Sequence, residues 1–238
     1  KRDINNEGLV YIYHNWESGT DNSPVWDDIW KTMNPPRYKF ERKDTTHVDS
    51  SQRPTDREYD HYIDIIELAK KFNYDDHKIA KHSPFLVQDP LFNSILIRSN
   101  ESLIRLYKIL GGNEEKIKYL RSKNEKSLIS INEKLYNSSI GAYLHFDLRN
   151  KKNIPLVCSS SFSPLFCGAP NFKIAQRLKS TLVEKFGKED YYLCSSFDPE
   201  GIQHDPKKYW RGPVWINLNW ILYNGLKRYK FKETAKRI

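Results

Sequence analysis

Apolar residues recur three and four positions apart over most of the chain, with polar stretches between them, the pattern of amphipathic helices. Thr55-Asp56-Arg57-Glu58 is a capping box, and Tyr59, Tyr62, Ile63, Ile66 and Ala69 follow at helical spacing, so a helix is predicted to start there. Asp89-Pro90 opens a second helix carrying Leu91, Ile95, Leu103, Leu106 and Leu110, and Gly111-Gly112 stops it. A third, from about Asn113 to Leu135, turns Ile117, Leu120, Leu128, Ile131 and Leu135 inward. A fourth covers about Asn171–Phe186 and ends at Gly187. The last starts at Pro213 and shows Trp215, Leu218, Leu222, Leu226 and Tyr229 on one side. Residues 142–157 instead alternate (Tyr143, His145, Asp147) around a polar tip, Asn150-Lys151-Lys152-Asn153, and predict a small β-hairpin. The class is all-α, an array of antiparallel helical hairpins joined by long Pro-rich loops.

Two of those loops are rich in aromatics: residues 32–54 and 188–212 carry Tyr38, Phe40, His47, Tyr191, Tyr192, Phe197, Tyr209 and Trp210. Structureless connections of this length in a compact domain usually have a function. No composition shift, low-complexity tract or fixed-period repeat divides the chain, so residues 1–238 read as one domain.

Charge and cysteine usage narrow the picture. The net charge is +9, from 39 Lys and Arg against 30 Asp and Glu. The lysines (Lys70, Lys71, Lys116, Lys118, Lys123, Lys126) are scattered over helix faces among glutamates, which suits a solvated surface better than a nucleic-acid site. No apolar run approaches the roughly 18 residues of a membrane span. Cys158, Cys167 and Cys194 fall at no metal-ligand spacing and are odd in number, as expected of buried, reduced thiols in a cytoplasmic protein. The seven histidines form no HxxxH or HxH pair, so no metal site is expected, and Gly111-Gly112 has no phosphate-loop context, so neither is a cofactor.

The densest chemistry lies in residues 14–30, where three Trp, four carboxylates, a Gly and a Pro share seventeen positions. Tryptophan planes stack on the apolar faces of sugar rings, and carboxylates bind hydroxyls or deliver protons to a glycosidic oxygen. The plainer alternative is a helix start, with Asn22 or Ser23 as cap, Pro24 in the first turn and Trp26 and Trp30 facing a core. That alternative fits residues 22–31 and leaves Trp16 to Asp21 as an exposed loop in which Gly19 permits a sharp turn. A second polar stretch runs from Arg42-Lys43-Asp44 to Arg53-Pro54-Thr55. An Arg just ahead of a helix N-terminus makes an anion site, unless it merely pairs with Asp56 or Glu58. In Tyr209-Trp210-Arg211-Gly212-Pro213-Val214-Trp215, aromatics surround a turn; core packing accounts for one of the two tryptophans more readily than for both.

Taken together these segments resemble glycoside hydrolase family 63, and within it the small bacterial enzymes that hydrolyse mannosylglycerate or glucosylglycerate. The resemblance rests on Trp16-Glu17-Ser18-Gly19-Thr20-Asp21-Asn22-Ser23-Pro24, then His47-Val48-Asp49, Arg53-Pro54-Thr55 and Glu58-Tyr59-Asp60. It continues through Gln88-Asp89-Pro90-Leu91-Phe92-Asn93 to Tyr209-Trp210-Arg211-Gly212-Pro213-Val214-Trp215-Ile216-Asn217. It implies an (α/α)6 barrel, here incomplete, with a sugar pocket at one mouth. It also implies Asp21 as general acid, Trp16 and Trp215 as pocket walls, and Arg53, Tyr59 and Tyr209 as the grip on a glycerate carboxylate. Glu17, the rival acid on the same turn, is expected to support the loop by hydrogen bonding. The substrate implied is a small carbohydrate with a carboxylate aglycone.

The family inverts configuration, which needs a second carboxylate about 6.5–9.5 Å from the acid to activate water. In the family that Glu lies downstream of the Tyr-Trp-Arg-Gly-Pro motif, so the chain is expected to be the central part of the catalytic domain, cut at both ends and catalytically incomplete. Two other readings stay open: a trehalase-like hydrolase of a neutral α-glucoside, which leaves Arg53 without its partner, and a non-catalytic carbohydrate-binding protein.

Overall fold

The computed structural model describes residues 2–188 and 193–238, so Tyr191 and Tyr192 of the second aromatic loop lie outside the described residues. The chain runs through α1 (Asp27–Lys31), α2 (Asp56–Lys71), α3 (Asp76–His82), β1 (Val87–Gln88), α4 (Pro90–Ile109) and α5 (Glu114–Ser130). Four two-residue strands follow: β2 (Tyr136–Asn137), β3 (Ala142–Tyr143), β4 (Phe146–Asp147) and β5 (Lys152–Asn153). The last elements are α6 (Pro164–Cys167), α7 (Phe172–Phe186), α8 (Ile216–Arg228) and α9 (Lys232–Ala235). The architecture is predominantly helical, as the periodicity predicts.

The helix starts follow from side-chain caps. The Thr55 hydroxyl accepts from the Glu58 amide at 3.2 Å, while Glu58 accepts from the Thr55 amide at 2.7 Å. Asp89 accepts from the Leu91 amide at 2.6 Å with Pro90 in the first turn, and Asn113 and Asn171 cap α5 and α7. Gly111, at φ +64°, takes the left-handed turn that ends α4 and lets α5 fold back against it.

Several inward faces differ from the predicted stripes. α2 buries Tyr62, Ile65 and Ala69, whereas Ile63 and Ile66 are half-buried. The helix also buries Asp60, which accepts from Arg37, the Tyr38 amide and Arg57 and so turns this side inward. α4 buries Leu91 as predicted, followed by Ser94 and Ile97, but exposes Ile95, Leu103, Leu106 and Leu110. Its rotation is set by Asn93, whose amide group accepts from Val10 N at 2.9 Å and donates to Val10 O at 3.0 Å. α5 buries Ile117, and the π turn that follows it, Ile131–Leu135, buries both its end residues.

The predicted 142–157 hairpin is realised at its tip only. β4 pairs antiparallel with β5 (Phe146 opposite Asn153), and β1 adds to the other edge of β4. Residues 142–143 pair backward with β2 instead, Tyr136 opposite Tyr143, because the π turn brings that strand alongside. α8 begins at Ile216, later than the predicted Pro213. The intervening residues are extended: Ser196 N donates to Pro213 O at 3.0 Å, and Val214 bridges Ser195.

Two apolar clusters hold these layers. One gathers Ile97, Leu135, Tyr143, Phe162, Leu178, Leu182, Leu222 and Leu226 between α4, α7 and α8. The other packs Trp26, Trp30, Tyr62, Ile65 and Phe85 beneath residues 14–30. Phe197, expected on an aromatic loop, belongs to this second core. The three cysteines are free and buried, and burial pushes the Cys158 and Cys167 thiols up to about 11. Among the described residues no helix is long and apolar enough to cross a membrane.

Trp26 joins core to loop: it is fully buried, meets Phe85 edge-on at 5.3 Å, and donates from Nε1 to Thr20 O at 2.9 Å. Trp26→Ala is expected to destabilise the chain by about 3–5 kcal/mol, read from urea unfolding. Trp26→Phe, which keeps a ring but loses the indole donor, should cost less. Equal stability of Trp26→Ala and wild type would remove Trp26 as the anchor of this segment.

Candidate active site

Asn15–Ser18 forms a 3₁₀ turn, so the segment from Trp16 to Asp21, expected as an exposed loop, is partly built and buried. His14 caps the turn, accepting from the Trp16 amide at Nδ1 (3.1 Å) and lying 3.0 Å from Tyr62 O at Nε2. With Nδ1 accepting, the ring is neutral and donates from Nε2; burial pulls its pKa below the usual 6.5. Ser18 and Thr20 are buried and hydrogen-bonded to each other at 2.8 Å. Gly19, at φ +69°, ends the turn. Only Trp16 of this group shows a large open face, at 42% exposure. It stands against Tyr59 and Tyr62, with ring centroids 6.3 and 5.8 Å away.

Glu17 is engaged as the sequence leads one to expect. Its carboxylate accepts from the Tyr13 amide at 2.9 Å and from the His14 amide at 3.3 Å, and it pairs with Arg2, which also binds Asp76. Asp21 is placed differently. Its backbone carbonyl is held by Asn15 Nδ2 at 2.7 Å, and its half-buried carboxyl lies in the field of Arg53 and Tyr209. Burial raises its pKa above the usual 3.8, and the Asp44 charge adds to the rise. The Arg53 charge and a Tyr209 hydrogen bond pull the other way without cancelling it.

Tyr209 comes from the far end of the chain. Its backbone sits at φ +27°, a conformation non-glycine residues seldom adopt and that surrounding contacts must enforce. Trp215 donates from Nε1 to Tyr209 O at 2.9 Å, and the next amide, Trp210 N, donates to Asn22 Oδ1 at 3.0 Å. Arg211 then forms a two-pronged pair with Asp27, at 2.9 and 2.6 Å, and reaches Asn22 O at 3.2 Å. Trp210 is buried and Trp215 stacks on it at 4.1 Å, so one tryptophan packs inside and the other keeps an accessible face. Val48 and His47 of the polar loop are exposed and touch none of this.

Arg53 does not join the helix N-terminus, where the Thr55 and Glu58 side chains cap each other's amides. Nor does it pair with Asp56 or Glu58: Asp56 takes Arg42 at 2.9 Å. Instead Arg53 donates from Nε to Asp44 at 3.0 Å and lies flat over the Tyr209 ring, Cζ 3.6 Å from its centroid. Asp21, Trp16, Arg53, Tyr59, Tyr209 and Trp215 thus form one connected group, with Arg42 lying over Tyr59 and sharing Asp44 with Arg53. The sequence motifs contain Arg42, Asp44, Asn22, Asp27 and Arg211 without revealing these roles. The Tyr-Trp-Arg motif signals Arg211, but nothing in the loop's pattern signals Asp44. Among the described residues no group of three or more His, Cys, Asp or Glu side chains could hold a metal ion.

Comparison with known proteins places this arrangement among relatives. The profile of the mannosylglycerate hydrolase MGH1-like glycoside hydrolase domain matches residues 1–238. The mannosylglycerate hydrolase of Rubrobacter radiotolerans is 38% identical, over 100% of this chain and 54% of that protein. The glucosylglycerate hydrolase of Mycolicibacterium hassiacum is 32% identical, over 99% of this chain and 54% of that protein. The chain therefore spans about half the length of these relatives. The crystal structure of a family 63 mannosylglycerate hydrolase from Thermus thermophilus in complex with Tris and D-glycerate superposes with a TM-score of 0.91 at 36% identity, covering 99% of this chain and 56% of that one. Neutral trehalase Nth1 from Saccharomyces cerevisiae, 14% identical with a TM-score of 0.54 over 81% of this chain and 40% of that one, shares the fold alone.

The environment of Asp21 sets a pH dependence of stability. A carboxyl held above its ordinary 3.8 in the folded state contributes fully below that value, and the contribution is lost as pH rises through the folded value. Asp21→Asn removes the cost of ionising it. The variant should therefore melt higher than wild type near about pH 7 and together with it near about pH 3, by scanning calorimetry. A variant less stable than wild type at neutral pH would show that the charged form is the favoured one.

Proposed function

The chain belongs to the mannosylglycerate hydrolase MGH1-like glycoside hydrolase family, and from that premise we propose that its site serves the inverting hydrolysis of a small glycosylated glycerate. The observation that supports this most is Arg53, lying over Tyr209 and tied to Asp44, next to a carboxyl whose protonation is strengthened by burial, which raises its pKa above the ordinary 3.8. A general acid needs that protonation, and a carboxylate aglycone needs that cation. Asp21 gives its proton to the glycosidic oxygen as the bond to the anomeric carbon breaks. Trp16 and Trp215 line the sugar, while Arg53, Tyr59 and Tyr209 receive the glycerate carboxylate. A D-glycerate complex of the Thermus relative agrees with such an aglycone.

Inversion also requires a base. Among the described residues, the carboxylate whose charge reaches Asp21 is Asp44, and two arginines fill it with three hydrogen bonds of 2.7 to 3.0 Å. Those guanidinium groups hold its pKa well below the usual carboxylate range, which makes it too weak a base to take a proton from water. Because the chain spans about half the length of its relatives, we assign the base to another part of the family's longer domain. The enzyme works in the cytoplasm, where its three free thiols stay reduced. A neutral disaccharide would offer the Arg53 guanidinium no anion beyond Asp44, which disfavours the trehalase-like alternative.

The test is sugar release by the complete gene product from mannosylglycerate, glucosylglycerate, trehalose and a neutral aryl glycoside. Asp21→Asn should lower kcat on the glycerate substrates by about 10²–10⁴-fold while leaving their binding largely intact. Turnover near wild type would exclude Asp21 as the acid.

Arg53→Ala should raise KM for the glycerate substrates far more than for the aryl glycoside. A charge-assisted pair with a carboxylate is worth about 1.5–3 kcal/mol, and the neutral aglycone has no such pair to lose. Equal weakening of both would make Arg53 structural and favour an uncharged substrate.

A further inference from the structure

The loop over residues 32–54 has almost no regular structure, yet one carboxylate inside it organises two cations. Asp44 Oδ1 accepts from Arg42 Nε at 2.7 Å, and Oδ2 accepts from Arg42 Nη2 at 2.7 Å and from Arg53 Nε at 3.0 Å. Each guanidinium lies over a tyrosine: Arg42 over Tyr59 at 3.9 Å, Arg53 over Tyr209 at 3.6 Å. Asp44 therefore links the ring carried by α2 to the ring carried by the strained 209 turn.

The two arginines are not equivalent. Arg42 also donates to Asp56 at 2.9 Å and to Pro54 O at 2.8 Å, so its fork is occupied. Arg53 meets Asp44 through Nε alone; the Tyr209 hydroxyl is its other side-chain partner, and among the described residues its terminal NH2 groups donate to no other carboxylate or carbonyl. The Arg42 and Arg53 side chains are 14% and 16% exposed, reachable but not mobile in open water. One arginine braces the loop. The other offers a fork.

We infer that Asp44 is a positioning residue for aglycone recognition, holding Arg53 by Nε against Tyr209 so that its two terminal NH2 groups form the docking edge for the substrate's carboxylate. This rests on the function proposed above. A carboxylate so near an anion site would repel the substrate if it stood alone, but Arg42 neutralises it through two hydrogen bonds. Removing Asp44 relieves little repulsion and frees Arg53 to swing towards the next carboxylate in its field, Asp21. The loss is one of geometry at Arg53, so it should show only where Arg53 is used.

The experiment is a double-mutant cycle in the complete gene product, with KM measured on a glycerate-bearing substrate and on a neutral aryl glycoside. Asp44→Ala should raise the ratio of the two KM values by about tenfold or more, the scale of one lost charge-assisted contact. Asp44→Asn, which keeps the shape and one acceptor, should raise it less. Adding Asp44→Ala to Arg53→Ala should change the ratio no further, because the two act as one unit. An unchanged or lowered ratio in Asp44→Ala, or additive effects in the double variant, overturns the assignment. A wild type that hydrolyses the glycerate substrates while the Asp44→Ala ratio stays put overturns Asp44 alone. A wild type that hydrolyses none of them overturns the proposed function along with it.

Discussion

The two-pronged pair between Arg211 and Asp27 is the constraint on which the rest of the site depends. The candidate acid and the aromatic turn facing it lie almost the whole chain apart, and no helix or strand joins them. Arg211, with the Trp210 amide on Asn22, fastens the later segment to the earlier one at four hydrogen bonds of 2.6 to 3.2 Å. Those bonds seat Trp210 in the core and hold Tyr209 in its unfavourable backbone conformation. With the turn fixed, Arg53 has a ring to lie on, and Asp21 has the neighbours that set its protonation. The pair is only half-buried, so both partners keep part of their hydration and the attraction is not cancelled by desolvation.

Much of the fold was legible because local chemistry fixes it. Thr55 with Glu58, Asp89 with Pro90, Asn113, Asn171 and the Gly111 stop all do in space what their spacing says, since a cap needs only its own first turn. The faces of the helices were less legible. α4 carries leucines at ideal helical spacing that end up exposed, because Asn93 locks the helix to the Val10 backbone and so chooses a different side. A polar anchor from another segment outweighed the apolar stripe, and no periodicity in α4 reports it.

The site divides in the same way. Asp21, Trp16, Arg53, Tyr59, Tyr209 and Trp215 stood out by residue type and motif, and the structure brings them into one group. Asp44 and Arg42 did not, because a carboxylate within a charged loop looks like any solvated surface acid until its partners are seen. The raised pKa of Asp21 also has a cost. The shell that withdraws water from the carboxyl opposes its ionisation, so stability and proton-donating power pull against each other at that position.

The way the 32–54 loop is fastened has an evolutionary consequence. Arg42 ties the middle of the loop to the head of α2 through Asp56 and Pro54 O, and Arg37 and the Tyr38 amide tie its beginning to Asp60 on the same helix. The turn that leads to Asp21 is held by an unrelated set: His14, Asn15, Glu17 and Trp26. Insertions and exchanges between residues 39 and 53 that spare Asp44 and Arg53, whose charges reach Asp21, can therefore accumulate without displacing the turn that leads to it. A lineage built on this scaffold can change what the loop presents while the turn before Asp21 stays still, with selection acting on a cassette of about fifteen residues rather than on the domain.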